Sequence, residues 1–177
     1  MRIHTTIVLA LSTGIILFLL GEAPGDSDRR GPARATAAML ASPEYEAYAE
    51  ECGSCHLAYP PGLLPARSWR AVMGGLDDHF GESAELDAET TRAIGDWLAG
   101  NAAEARTHRK SAKILKSVRG ATPLRVSTTP YVLGKHDEIR ASVFRRKSVA
   151  SRANCAACHP SAERWDFDDD DVRIPRF

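Results

Sequence analysis

The chain is poor in methionine and has no net charge. Its three methionines are Met1, Met39 and Met73, and 23 Lys and Arg offset 23 Asp and Glu. Aromatic residues are only 7% of the chain, and few stand among the basic residues, which argues against a nucleic-acid binder. Cysteine is absent outside two short stretches, ECGSCH (51–56) and NCAACH (154–159), so no disulfide framework runs through the chain. Apart from those two stretches, no internal repeat links the halves.

What is present suits a folded protein. With 177 residues, 44% hydrophobic and 26% charged, the chain is long enough for one ordinary domain, or for two very small ones with a shared core. The zero net charge conceals a division along the sequence. Residues 41–105 carry 12 acids and 3 bases, residues 106–152 carry 13 bases and 2 acids, and residues 163–171 carry 6 acids and 1 base.

The N-terminus stands apart. Arg2 and His4 precede the apolar run IVLALSTGIILFLLG (7–21), the order of an exported protein's leader. The run is shorter than a typical span of about 20 residues, and Pro24 disfavours cleavage after Ala23. Residues 1–24 therefore read as a signal peptide, with an uncleaved N-terminal anchor as the alternative. Residues 25–40, polar and rich in Gly, Pro and Ala, read as a linker. The expected location is the periplasm, soluble or tethered to the membrane by that anchor.

Each cysteine pair is a C-x-x-C followed at once by histidine, the haem c attachment pattern. Two thiols at this spacing can each form a thioether with one haem vinyl group, and the next residue then projects under the iron. Cys52, Cys55, Cys155 and Cys158 are thus the attachment sites of two covalent haem c groups, and His56 and His159 their proximal ligands. Disulfides within each pair would close tiny loops and stabilise little. A four-cysteine zinc site brings its pairs within about 15–20 residues of each other, far closer than Cys55 and Cys155. A thioredoxin-like site expects a βαβ setting, whereas these surroundings look helical and loop-rich.

Two haems leave little protein around each, which implies a small, mainly α fold with long irregular connections and with the cofactors supplying part of the core. Ser42 and Pro43 mark a helix start leading into the first motif. Trp69, Val72, Met73, Leu76 and Phe80 repeat at helical spacing, opened by Pro65 or Ser68 and closed near Gly81. Asp87 caps a third helix containing Thr91, Ile94, Trp97 and Leu98, which stops at Gly100-Asn101. After a short basic helix at 111–119, TPLRVSTTPYVLGKHDEIR reads as extended or turn structure. Because the second motif comes late, its haem should be enclosed mostly by residues that precede it. The domains are placed at 41–105 and 106–177, one haem each.

A haem iron with one histidine either gains a second protein ligand or stays open. Met73 is the only candidate thioether, and its place on an apolar face makes it core. His79 shares the edge of that face and is the expected second ligand of haem 1. For haem 2, His136 follows an apolar stretch and Gly134, in a turn suited to presenting an imidazole inward. His108, among the like charges of RTHRK, is the alternative, and an open iron the third choice.

Several stretches beyond C-x-x-C-H resemble the dihaem cytochrome c family of bacterial periplasmic electron carriers: ECGSCHLAYPPGLLPARSWRAVMGGLDDHFGE, TPLRVSTTPYVLGKHDEI and SRANCAACHPSAERWDFDDDDVRIP. The resemblance implies a class I cytochrome c-like helical N-terminal domain, a less regular, loop-rich C-terminal haem domain, and two bis-histidine haems. It carries the distal positions onto His79 and His136 in place of His108. It also implies redox partners, a small oxygen-binding monohaem cytochrome c and a membrane b-type cytochrome. The expected function is electron transfer at low potential without catalytic residues. A haem enzyme or gas binder with one open iron, and a tethered subunit of a membrane respiratory complex, are the competing readings.

Overall fold

The computed structural model describes residues 35–105 and 109–177. The leader and anchor readings, most of the linker, His4 and His108 lie outside the described residues. Among those described there is no strand, only an isolated bridge between His79 and Glu82, and no helix is long and apolar enough to cross a membrane. The chain is mainly α, as its sequence implies.

Among the described residues, six helices follow a short helical stretch at 35–40: α1 Pro43–Gly53, α2 Ala66–Met73, α3 Ala88–Gly100, α4 Arg109–Val118, α5 Pro130–Lys135 and α6 Ala141–Phe144. Single turns of 3-10 helix fill many of the connections. The start of α1 is fixed locally. The Ser42 hydroxyl accepts the Tyr45 amide at 3.1 Å, and Pro43 occupies a position where no amide donor is needed.

Asp87 fixes the start of α3 in the same way. Its carboxylate accepts the amides of Glu89 and Thr90 at 2.9 and 3.0 Å and the Thr90 hydroxyl at 2.6 Å. These bonds, the Thr90 hydroxyl first, hold its carboxyl below the ordinary value of 3.8. A depressed folded-state pKa stabilises the fold above the unfolded value and loses that contribution as pH falls through the folded one. Asn caps equally well but does not titrate. The difference in unfolding temperature between wild type and Asp87→Asn should therefore shrink as pH drops below about 4. An undiminished difference at pH 3 contradicts this account.

α2 and α3 pack against each other with Gly95 facing Met73, where even a Cβ would make ordinary contact, 3.5 Å from the Met73 side chain. Around that contact Tyr48, Leu64, Trp69, Met73, Leu76, Ile94, Leu98 and Val126 form one buried cluster. Met73 takes the core position read from the sequence. Val126, Val132 and Trp165 also join this cluster, so residues far along the chain help close the core around α1 to α3.

Two sequence expectations need correction. The Trp69–Phe80 face is not one helix: α2 ends at Met73, capped by Gly74, and Leu76–Asp78 forms a 3-10 turn. Leu76 stays buried across the break, which is why the apolar period ran on in the sequence, but Phe80 is 43% exposed. The stretch read as extended or turn structure holds turns but no strand, and part of it is helical. Val126–Thr128 is a 3-10 turn, and α5 begins at Pro130 with the Thr129 hydroxyl accepting the Val132 amide at 3.4 Å.

Candidate haem ligation sites

The end of α1 delivers the first motif. Cys52 lies in the last turn of the helix, Cys55 and His56 just beyond it. The second motif has no long helix to carry it. Cys155–Ala157 is a 3-10 turn that places Cys158 and His159 directly after it. The four cysteines are unbridged. Burial pushes the thiols of Cys52 and Cys155 up to about 11, so both sit where a neutral sulfur is favoured, as in a thioether.

The structure brings the four expected histidines together in two pairs. The rings of His56 and His79 lie 6.1 Å apart between centroids, with planes 19° from parallel. Those of His136 and His159 lie 6.2 Å apart, with planes at 78°. Two metal–imidazole bonds of about 2 Å each, together with the half-ring from each bonding nitrogen to its own ring centre, span about the same length. Each pair thus has room for one metal ion between its rings.

Orientation within the pairs comes from the backbone. The Nδ1–H of His56 donates to the Leu57 carbonyl at 2.8 Å, and that of His136 to the Val132 carbonyl at 2.7 Å. Each bond fixes the tautomer that leaves Nε2 as the free lone pair. Burial, then the facing His56, then Arg125, holds His79 below the usual histidine range. Burial, then His136, does the same for His159. Neutral imidazole is the form that binds a metal.

His79 reaches its place by a route the sequence did not predict. It follows the 3-10 turn Leu76–Asp78 instead of sitting on a helix edge, and its amide donates to the Glu82 carbonyl at 2.7 Å. Asp78 closes the same loop by accepting the Gly81 amide at 2.9 Å. Phe80 takes a left-handed φ of 64°, which turns its ring against His79 at 4.7 Å, and the Arg125 guanidinium covers that ring at 3.6 Å. His136 is the C-cap of α5 and the first residue of the turn 136–138, the setting its sequence suggested.

Other contributors carry no local signal. The Phe167 ring meets His159 edge-on at 5.4 Å, the Arg173 amide donates to the Cys158 carbonyl at 2.8 Å, and Lys135 pairs with Asp169 at 2.8 Å. The tail beyond the second motif thus folds back against it while its aspartates stay exposed. Residues from both directions along the chain meet the second motif.

Two imidazoles are too few donors for a bare ion, and among the described residues no group of three or more His, Cys, Asp or Glu is placed to hold one. The pairs fit a group that brings its own in-plane donors and is tethered by the two neighbouring cysteines. That is the form of haem c.

Comparison with known proteins bears on the same residues. A family model described as dihaem cytochrome c matches residues 48–167. A solved diheme cytochrome c from Rhodobacter sphaeroides is 42% identical, with 69% of this chain and 95% of that one covered and a TM-score of 0.62. A diheme cytochrome type c from Shewanella baltica OS155 is 36% identical, with 77% and 97% covered and a TM-score of 0.63. No curated protein matches the chain.

Proposed function

Because the chain belongs to the dihaem cytochrome c family and so carries two haem c groups, we propose that it is a periplasmic electron carrier with both irons closed by histidine. The observation that supports this most is the pair of facing imidazole couples, His56 with His79 and His136 with His159, each about one metal's width apart. Cys52, Cys55, Cys155 and Cys158 tether the haems. When bound, each haem supplies a one-electron couple.

The protein's own residues set how that couple is used. Imidazole on both faces favours the ferric state over a His/Met pair, so both potentials should be low. Histidines facing each site from both sides would leave a bound haem no open position for a substrate, which disfavours the open-iron enzyme reading. Asp77, Asp78 and Glu82 are exposed beside His79, while Arg109, Lys113 and Lys116 form an exposed basic face on α4. Charge of opposite sign in the two regions suits steering of two different redox proteins. The family resemblance suggests a small oxygen-binding monohaem cytochrome c and a membrane b-type cytochrome for these roles. Export is supported by the apolar run 7–21 behind Arg2, as a cleaved signal or a tether.

The test is optical. The ferric protein should be low-spin throughout, and the dithionite-reduced protein should leave its spectrum unchanged under carbon monoxide. Prompt carbon monoxide binding at either haem in the wild type would overturn the closed-iron reading in favour of a ligand-binding or catalytic one.

A further inference from the structure

The segment just after the first motif is tied to the second motif by side chains that no local pattern requires. The Tyr59 hydroxyl donates to the Ala153 carbonyl at 2.7 Å, two residues before Cys155. Its ring lies 5.3 Å from that of His56, tilted by 33°. One residue thus touches the proximal ligand of one haem site and holds the backbone that enters the other. Beside it, the Trp165 indole N–H donates to the Ala58 carbonyl at 2.8 Å. Tyr48, buried in α1, donates its hydroxyl to the Tyr59 carbonyl at 3.0 Å, which pins the strut to the core.

Trp165 is itself held at a cost. It takes a left-handed φ of 58°, a conformation that bulky residues rarely adopt. In return its ring meets Tyr45 edge-on at 5.2 Å and lies 6.5 Å from Trp97. The aromatic cluster of Tyr45, Tyr48 and Trp97 thereby grips a residue from beyond the second motif.

We propose that Tyr59, seconded by Trp165, is a positioning strut that fixes the two C-x-x-C-H motifs relative to each other and so sets the rate of electron exchange between the two haem sites. This rests on the electron-carrier reading above. The exchange it serves moves one electron: one site is oxidised as the other is reduced, and no bond or proton changes. Such transfer falls off exponentially with the gap, so small excursions of one motif from the other slow it. Each lost hydrogen bond favours the parted arrangement by about fivefold.

The experiment uses the full chain with both haems attached, as wild type, Tyr59→Phe, Trp165→Phe and the double variant. After rapid injection of one electron, the rate of its redistribution between the sites is followed optically, and low-spin spectra report that all four histidines still bind. Tyr59→Phe keeps the ring against His56 and removes only the tie to Ala153. The expected result is slower exchange in each single variant and a loss of roughly tenfold or more in the double variant, with low-spin spectra retained. Wild-type exchange rates in Tyr59→Phe and Trp165→Phe, even with lowered unfolding temperatures, would show the ties to be structural only and overturn the proposal. Loss of the low-spin spectrum in Tyr59→Phe would overturn it too, by making Tyr59 a support for His56 alone. A wild type that binds carbon monoxide and passes no electron between its sites would sink the carrier reading, and the strut with it.

Discussion

Replacing His136 with alanine should open one of the two haem irons and leave the other closed. His136 stands at the end of α5, with its amide donating to the Leu133 carbonyl at 3.1 Å and its Nδ1–H to the Val132 carbonyl. Both bonds orient the ring toward His159, 6.2 Å away. Alanine removes the imidazole without disturbing the short helix, which is capped at its other end by Thr129. Half of the haem should turn high-spin in the ferric state and bind carbon monoxide when reduced, while the His56/His79 site keeps its spectrum. Loss of a strong donor should also raise the potential of the opened site. His108→Ala is the matching control and should leave both irons closed. The reverse pattern, with His108→Ala opening a haem and His136→Ala leaving both low-spin, would assign the ligand to His108.

How much of this could be read from the residues alone depended on the range of the interaction. The C-x-x-C-H motifs were legible because covalent chemistry fixes their spacing. Ser42-Pro43 and Asp87 were legible because a helix start is decided within three residues. His79 faces His56, although its setting was misread. Met73 and Leu76 are buried on either side of a helix break, so the apolar period masked the stop that Gly74 and Gly75 impose. Thr129-Pro130 was a helix start of the same kind as Ser42-Pro43, hidden by the β-branched residues around it. Tyr59 and Trp165 could not be singled out, because their partners Ala153 and Ala58 lie 94 and 107 positions away and are backbone carbonyls that no sequence pattern marks. The aspartates of the acidic tail are exposed, as their charge implies, but its contacts were hidden for a related reason. A run of aspartates reads as solvated, yet Phe167 within it packs on His159 and Asp169 reaches Lys135.

The two imidazole pairs differ in one respect that a spectrum can read. Each ring donates π density into the iron d orbital lying perpendicular to its own plane. Rings only 19° from parallel, as for His56 and His79, load the same orbital and separate it from its partner, which yields a rhombic low-spin signal. Rings at 78°, as for His136 and His159, load the two orbitals almost equally. The near-degeneracy leaves orbital momentum unquenched and yields a strongly anisotropic signal with a large leading g value. The fully oxidised protein should therefore show two distinct low-spin species of equal weight in frozen-solution electron paramagnetic resonance. His79→Ala should abolish the rhombic species, replace it with a high-spin signal and leave the anisotropic one intact; His136→Ala should do the opposite. Phe80 and Arg125 give a further handle on the same geometry, since the Phe80 ring lies against His79 and the guanidinium pins that ring. Disappearance of the anisotropic species in His79→Ala would mean that the ring planes, and with them the assignment of each histidine to its site, are the reverse of those described.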